Sequence, residues 1–251
     1  MLVMGILNVT PDSFADGGRH NDFDAAVARG LEMIAEGVDI IDIGGESTRP
    51  GADRVSEADE IARTIPVITE LAKHGVKISI DTMRASTAEA AIKAGASIIN
   101  DVSGGLADPL MLETAAGLKV PYIAMHWRGQ SKDMNSKAIY GDVVSEVISE
   151  LQERIDAALD AGISKDNLII DPGLGFAKDA DHNWAIIDAI DQFVAMGYPV
   201  LVGGSRKRFL GGDSPDEREQ ATIELTKRLA STGVWAVRVH SVKPHKEVLS
   251  V

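Results

Sequence analysis

The sequence contains no cysteine. Disulfides, thiol nucleophiles and cysteine metal sites are thereby excluded, while the redox compartment stays undecided. No apolar run approaches the roughly 20 residues that a membrane-spanning helix needs. The opening Met1-Leu-Val-Met-Gly has no basic n-region and runs straight into core-like sequence, so no signal peptide is expected and the cytoplasm is the default location. Bases are the minority: 25 Lys and Arg stand against 38 Asp and Glu, a net charge of −13. That balance speaks against nucleic acid as a partner, and it means that an anionic ligand must be drawn by a local basic pocket. No G-x-G-x-x-G follows the first apolar run, which disfavours an open dinucleotide-binding sheet. With no linker or low-complexity segment, residues 1–251 read as a single domain.

What is present is a regular alternation. Short apolar runs cover Leu2 to Leu7, Val38 to Ile43, Val76 to Ile80, Ser97 to Ile99, Val120 to Met125, Leu168 to Ile170, Pro199 to Val202 and Val234 to Val239. They read as buried strands. Between them lie helical patterns: Asp24 to Glu36, Ser56 to His74, Ser86 to Ala94, Pro109 to Ala116, Asp142 to Ala161, His182 to Met196 and Glu217 to Ser231. Gly37, Gly95, Gly117, Gly162, Gly197 and Gly233 serve as stops, and Ser56-Glu-Ala-Asp as a capping box. A short closing helix is interrupted by Pro244. Eight strand–helix units in 251 residues predict a single (β/α)8 barrel.

In such a barrel the carboxyl ends of the strands converge on one face, where the active sites of these folds lie. The strands end on Asn8, Asp42, Asp81, Asn100, His126, Asp171, Lys207 and the pair Arg238/His240. Each alone reads as a turn former or a helix cap. Together they predict one concave site with two poles. Asp81, Asn100 and Asp171 offer acceptors suited to a heteroaromatic ring bearing N–H donors. Arg206, Lys207, Arg238 and His240 offer cations suited to phosphate or diphosphate. The Asn8 oxygen reads either as a Mg2+ ligand or as a group ordering its own loop. Two long glycine-rich loops, Asn8 to Asn21 and Gly44 to Arg54, are expected over the same face, carrying Phe14 and Arg49.

Several motifs resemble one family. N-V-T-P-D-S-F from Asn8, I-D-I-G-G-E-S-T-R-P-G from Ile41 and S-R-K-R-F-L-G from Ser205 are similar to the signatures of the dihydropteroate synthases. So are Asp81-T, Ile99-N-D-V-S-G, Met125-H, Asp171-P-G-L-G-F and R-V-H from Arg238, so the likeness covers essentially the whole chain in order. The resemblance implies a transferase of folate biosynthesis that joins dihydropterin-methyl diphosphate to p-aminobenzoate, uses Mg2+, is inhibited by sulfonamides and forms a homodimer. It implies that Asp81, Asn100, Met125, Asp171 and Lys207 hold the pterin, with Asp81, Asp171 and Lys207 catalytic. Thr48, Arg238 and His240 would hold the diphosphate, Asn8 the metal, and Phe14, Thr48, Arg49, Pro50, Ser205 and Lys207 the p-aminobenzoate. The chain departs from the pattern at Ser241, where the last motif usually carries Asp, at Arg208 and at Trp127. Three other readings stay open: a pterin barrel passing methyl groups to a corrinoid, a non-catalytic pterin-binding paralogue, and a phosphate-binding aldolase-type barrel.

Overall fold

The structure is a computed structural model and describes residues 1–10, 18–46, 54–130 and 134–250. Eight strands form one parallel sheet: β1 Leu2–Asn8, β2 Ile40–Gly44, β3 Lys77–Asp81, β4 Ile98–Asp101, β5 Tyr122–Met125, β6 Leu168–Asp171, β7 Leu201–Val202 and β8 Ala236–Val239. The hydrogen-bonded order runs β6-β5-β4-β3-β2-β1-β8-β7. A bridge between Ile170 and Val200, with the Ile170 N–H donating to the Pro199 carbonyl at 3.0 Å, brings β7 back to β6 and closes the barrel. Closure leaves no free edge on a sheet built from β-branched, apolar segments.

The helices among the described residues are α1 Gly18–Ala35, α2 Glu57–Ala72, α3 Ala85–Ala94, α4 Met111–Leu118, α5 Val143–Asp160, α6 Ala180–Asp188, α7 Ile190–Val194, α8 Glu217–Leu229 and α9 Lys243–Leu249. Local chemistry fixes most of their ends. Ser56 caps α2 by accepting from the Asp59 N–H, Asp142 caps α5 through Val144 and Ser145, and Asp179 with His182 makes a reciprocal capping box on α6. Four boundaries differ from the sequence expectation. α1 starts at Gly18 rather than Asp24. Gly117 lies inside α4, and Lys119 takes the left-handed turn at φ 56° instead. The segment 182–196 breaks into α6 and α7 at Ala189. Pro244 sits in the first turn of α9, where its missing N–H has no intrahelical partner to lose, so it starts that helix rather than interrupting it.

The interior has two parts. Met4, Ile40, Ile98, Ile123, Ile169, Leu201 and Ala236 fill the lower barrel as a separate apolar plug. The outer faces of the strands pack on the helices in the main core, which includes Ile41, Ile43, Ile78, Ile80, Tyr122, Leu151, Phe193, Leu225 and Leu229. Leu225 and Leu229, apolar positions one helical turn apart on α8, are thus spent on barrel packing.

Candidate active site

Strand side chains alternate with a period of two. Counting two residues up from each member of the apolar plug gives Ile6, Asp42, Asn100, Met125, Asp171, Gly203 and Arg238. The β3 register places Asp81 beside Asn100 and Gly44 at the same level. The pleat alone therefore turns these groups inward as one ring above the plug, which is why residues so distant in sequence meet.

The ring is a connected ion-pair chain. The Arg238 guanidinium donates from Nε to Asp42 Oδ2 at 2.5 Å and from Nη2 to Asp81 Oδ2 at 2.6 Å, and Asn100 Nδ2 donates to the same Asp42 oxygen at 3.1 Å. Asp42, Asn100, Asp81 and Asp171 are all buried. Burial lifts the Asp81 carboxyl, Arg238 opposes the rise and the Asp42 charge adds to it, with the result pushed up to about 7. Burial likewise raises Asp171, against a backbone bond from the Gly173 N–H at 2.7 Å and the cations Lys207 and Arg238. Lys207 enters from the loop after β7. Burial pulls its ammonium down to about 8, with Asp171 opposing, and its Nζ donates to the Leu174 carbonyl and lies 4.5 Å from the centre of the Phe176 ring. Gly44 and Gly203 leave the floor bare: a Cβ on Gly44 would stand 3.7 Å from Asp81 Oδ2, and one on Gly203 3.7 Å from Asp171 Oδ2.

The structure thus brings Asp81, Asn100, Met125, Asp171, Lys207 and Arg238 together. Met125 is buried and packs with Met83, Val102, Trp127 and Phe176 in a small apolar cluster. Ser205 and His240, assigned to different ligands on sequence, are bonded to each other: Ser205 Oγ lies 2.9 Å from His240 Nδ1 and accepts the His240 N–H at 3.2 Å. The Asn8 oxygen lies at the rim by Gly44, whose Cβ would be 3.8 Å from it. Phe14, Thr48, Arg49 and Pro50 lie outside the described residues.

The two poles are not separate, because the Arg238 cation already holds two carboxylates. Arg206 does not join them. Its backbone is left-handed at φ 56°, and the side chain turns outward to Glu219 at 2.6 Å and Ser241 at 2.8 Å. His126 is one residue out of phase with Met125 and points away from the ring, its Nε2 2.9 Å from Glu150 and its Nδ1 2.9 Å from Lys178. Burial and the Lys178 charge depress it to about 4.

Sequence reasoning gave Asp42 no role, although it anchors both Asn100 and Arg238, and it missed Lys178 and the Glu46/Glu60/Arg84 cluster behind β2 and β3. For Asp42 the signal was available in its phase, two residues beyond Ile40.

A family model for pterin binding enzymes matches residues 4–240. The chain belongs to that family. Within it, dihydropteroate synthase of Mycobacterium leprae is 49% identical over 99% of this chain and 91% of the relative. A solved Xanthomonas albilineans dihydropteroate synthase with 4-aminobenzoic acid superposes with a TM-score of 0.93 at 43% identity, covering 99% of this chain and 90% of that one. The same enzyme in complex with 7,8-dihydropteroate gives a TM-score of 0.90 at 40% identity, covering 99% and 91%. Similarity of that extent places the chain among the dihydropteroate synthases.

Proposed function

We propose that this chain condenses dihydropterin-methyl diphosphate with p-aminobenzoate, releasing dihydropteroate and diphosphate. The observation that carries the reading is the buried chain Asn100–Asp42–Arg238–Asp81, with Asp171 and Lys207 beside it. In it, acceptors for a nitrogen-rich ring and a cation for an anion share one water-poor mouth. Asp81, Asn100 and Asp171 take the ring N–H groups, Met125 packs on its face, and Lys207 donates at its edge. Arg238 and His240, with Thr48, hold the diphosphate. Phe14, Thr48, Arg49, Pro50 and Ser205, with Lys207, receive p-aminobenzoate.

The chemistry follows from these charges. The bond between the pterin methylene carbon and the diphosphate oxygen breaks, and the electron pair leaves on the diphosphate, which Arg238 stabilises. The positive charge that develops on the pterin-methyl group faces Asp81 and Asp171. The amine nitrogen of p-aminobenzoate forms the new bond to the methylene carbon and gives up a proton to solvent. No covalent bond to the protein is needed.

The residues also fit a magnesium ion. Asn8 offers an uncharged oxygen at the rim close to Asp81, and one Asp42 oxygen is buried without a hydrogen-bond partner among the described residues. Such a hard-oxygen set suits Mg2+, which takes few protein ligands alongside phosphate oxygens. Bound on Asn8, the ion would neutralise charge on the departing diphosphate. Small polar substrates support a cytoplasmic location, and no helix among the described residues is long and apolar enough to cross a membrane. The homodimer that the resemblance implies is testable by light scattering.

The deciding assay combines purified protein, the pterin diphosphate and labelled p-aminobenzoate, with magnesium or with a chelator. Labelled dihydropteroate that forms only with metal is expected. A folded protein that makes none refutes the reading.

A further inference from the structure

We propose that Lys178 is a positioning residue for Lys207, gathering the loop between β6 and α6 so that this loop presents the Leu174 carbonyl and the Phe176 ring to the Lys207 ammonium. The proposal rests on the function proposed above, since it concerns the same site.

Lys178 is buried at 8% exposure, and its Nζ has three acceptors: His126 Nδ1 at 2.9 Å, the Gly173 carbonyl at 3.1 Å and the Phe176 carbonyl at 3.1 Å. An ammonium has three protons, so this set uses all of them and leaves none for a ligand. The His126 end is fixed in turn. Acceptance at Nδ1 requires the proton on Nε2, which donates to Glu150 at 2.9 Å, and Glu150 is held by Arg128. Lys178 therefore ties the loop after β6 to α5 through the loop after β5.

The loop's carbonyls are sorted between two lysines. Gly173 and Phe176 turn theirs to Lys178, and Leu174 turns its own to Lys207. That sorting needs peptide planes flipped by left-handed residues, found at Gly173 (φ 67°), Gly175 (φ 74°) and Ala177 (φ 47°). At Gly173 no side chain is possible, because a Cβ would stand 2.5 Å from the His126 carbonyl oxygen. Ala177 is not glycine, and its Cβ makes the left-handed turn locally unfavourable. Neighbouring contacts enforce it: Tyr140 donates to the Ala177 carbonyl at 3.0 Å, and the Gly175 N–H donates to Asn183 at 2.6 Å. On the far side, the Lys207 stem lies against Gly175, where a Cβ would meet its Cδ at 2.7 Å. Removing the Lys178 ammonium takes the donor from the Phe176 carbonyl and from one imidazole nitrogen, and it leaves the Gly173 carbonyl with the Phe176 N–H alone, at 3.1 Å. The loop must then reopen toward water, and Lys207 loses both its carbonyl anchor and the ring beneath it.

The test is a double-mutant cycle with Lys178→Met and Lys207→Ala, read as kcat/KM for the pterin diphosphate and as its Kd by calorimetry, below the melting temperature of each variant. Lys178→Met alone is expected to lower kcat/KM on the order of 10²-fold, as for other displaced catalytic groups. Added to Lys207→Ala, it is expected to cause little further loss in either measurement, because both remove the same placed ammonium. Losses that multiply, or a folded Lys178→Met protein with wild-type constants, would overturn the proposal. If Lys178→Met does not fold, His126→Leu removes one of the three acceptors and enters the same cycle with the same outcomes. Product formation by the wild-type protein is scored first, so failure of the functional reading shows separately.

Discussion

Two half-buried arginines of this barrel, Arg84 and Arg238, each bind two carboxylates, and they serve opposite ends. Arg84, behind β2 and β3, donates to Glu46 at 2.9 Å and to Glu60, and a further bond reaches the Val55 carbonyl. Its acids are fully occupied: Glu60 also accepts from Thr82 at 2.5 Å and Thr87 at 3.4 Å, and Glu46 from Arg54 at 3.0 Å. Arg238 at the mouth has the same composition but an incomplete account, since Asp42 Oδ1 is buried without a partner among the described residues and Asp81 is held far from its ordinary protonation range. A charge cluster whose lone pairs are all taken is a brace, and one that keeps some in reserve is a site.

That distinction can be broken by substitution. Arg238→Met is expected to lower kcat/KM on the order of 10³-fold with little change in melting temperature, because the freed Asp81 can take up a proton. Arg84→Met is expected instead to cost about 3–5 kcal/mol of stability, since it leaves buried Glu60 with hydroxyl donors alone and takes one of two cations from Glu46, with kcat/KM largely kept in the folded fraction. Chemical denaturation and steady-state kinetics on both variants decide it; equal effects on both measurements would erase the contrast.

Lys207→Ala is expected to lose roughly 10²-fold in kcat/KM, whereas Arg208→Ala, exposed on the following turn, stays within roughly threefold. The reverse ranking would remove Lys207 from contact with substrate.

The pH profile sharpens the comparison next. The proposed chemistry needs Asp81 ionised and Lys207 protonated, so kcat/KM should rise through about 7 and fall above about 8. Asp81→Asn should abolish the rising limb. For stability the sign is opposite: a carboxyl raised on folding binds its proton more tightly in the folded state, so unfolding free energy drops as pH climbs from 3.8 to about 7. Urea melts across that window should show the drop in the wild type and lose it in Asp81→Asn.

The smallest effect is expected at Ser241→Asp. Arg206 is already paired with Glu219 and is 27% exposed, so a second carboxylate should add less than about 1 kcal/mol and leave turnover nearly unchanged.

The barrel and its ring were legible in the sequence because strand period and glycine stops are local signals. Asp81, Asn100 and Asp171 each end an apolar run in the inward phase, and parity carried them to one place. Parity carried no such message for the S-R-K-R turn: which of three adjacent cations faces inward depends on the left-handed backbone at Arg206, and sequence offers nothing that compels it. Gly117 failed as a stop because α4 runs one residue past it before Lys119 turns. Lys178 lies in a loop without periodicity, and its role rests on carbonyls that no pattern of side chains encodes. Nothing in the sequence separates Glu60 from the other acids of α2, and only the closeness of that helix to β3 makes it a buried partner.

On the proposed function, the Arg238 bridge would make the mouth an exchange device. An anion arriving there would trade places with a carboxylate rather than with water, and the carboxylate it dislodged would be the one a ring N–H could then claim. Seating the tail of a two-headed substrate would thereby ready the seat for its head, and on the tail's departure the aspartates would recapture the arginine and help to clear the way for the next molecule.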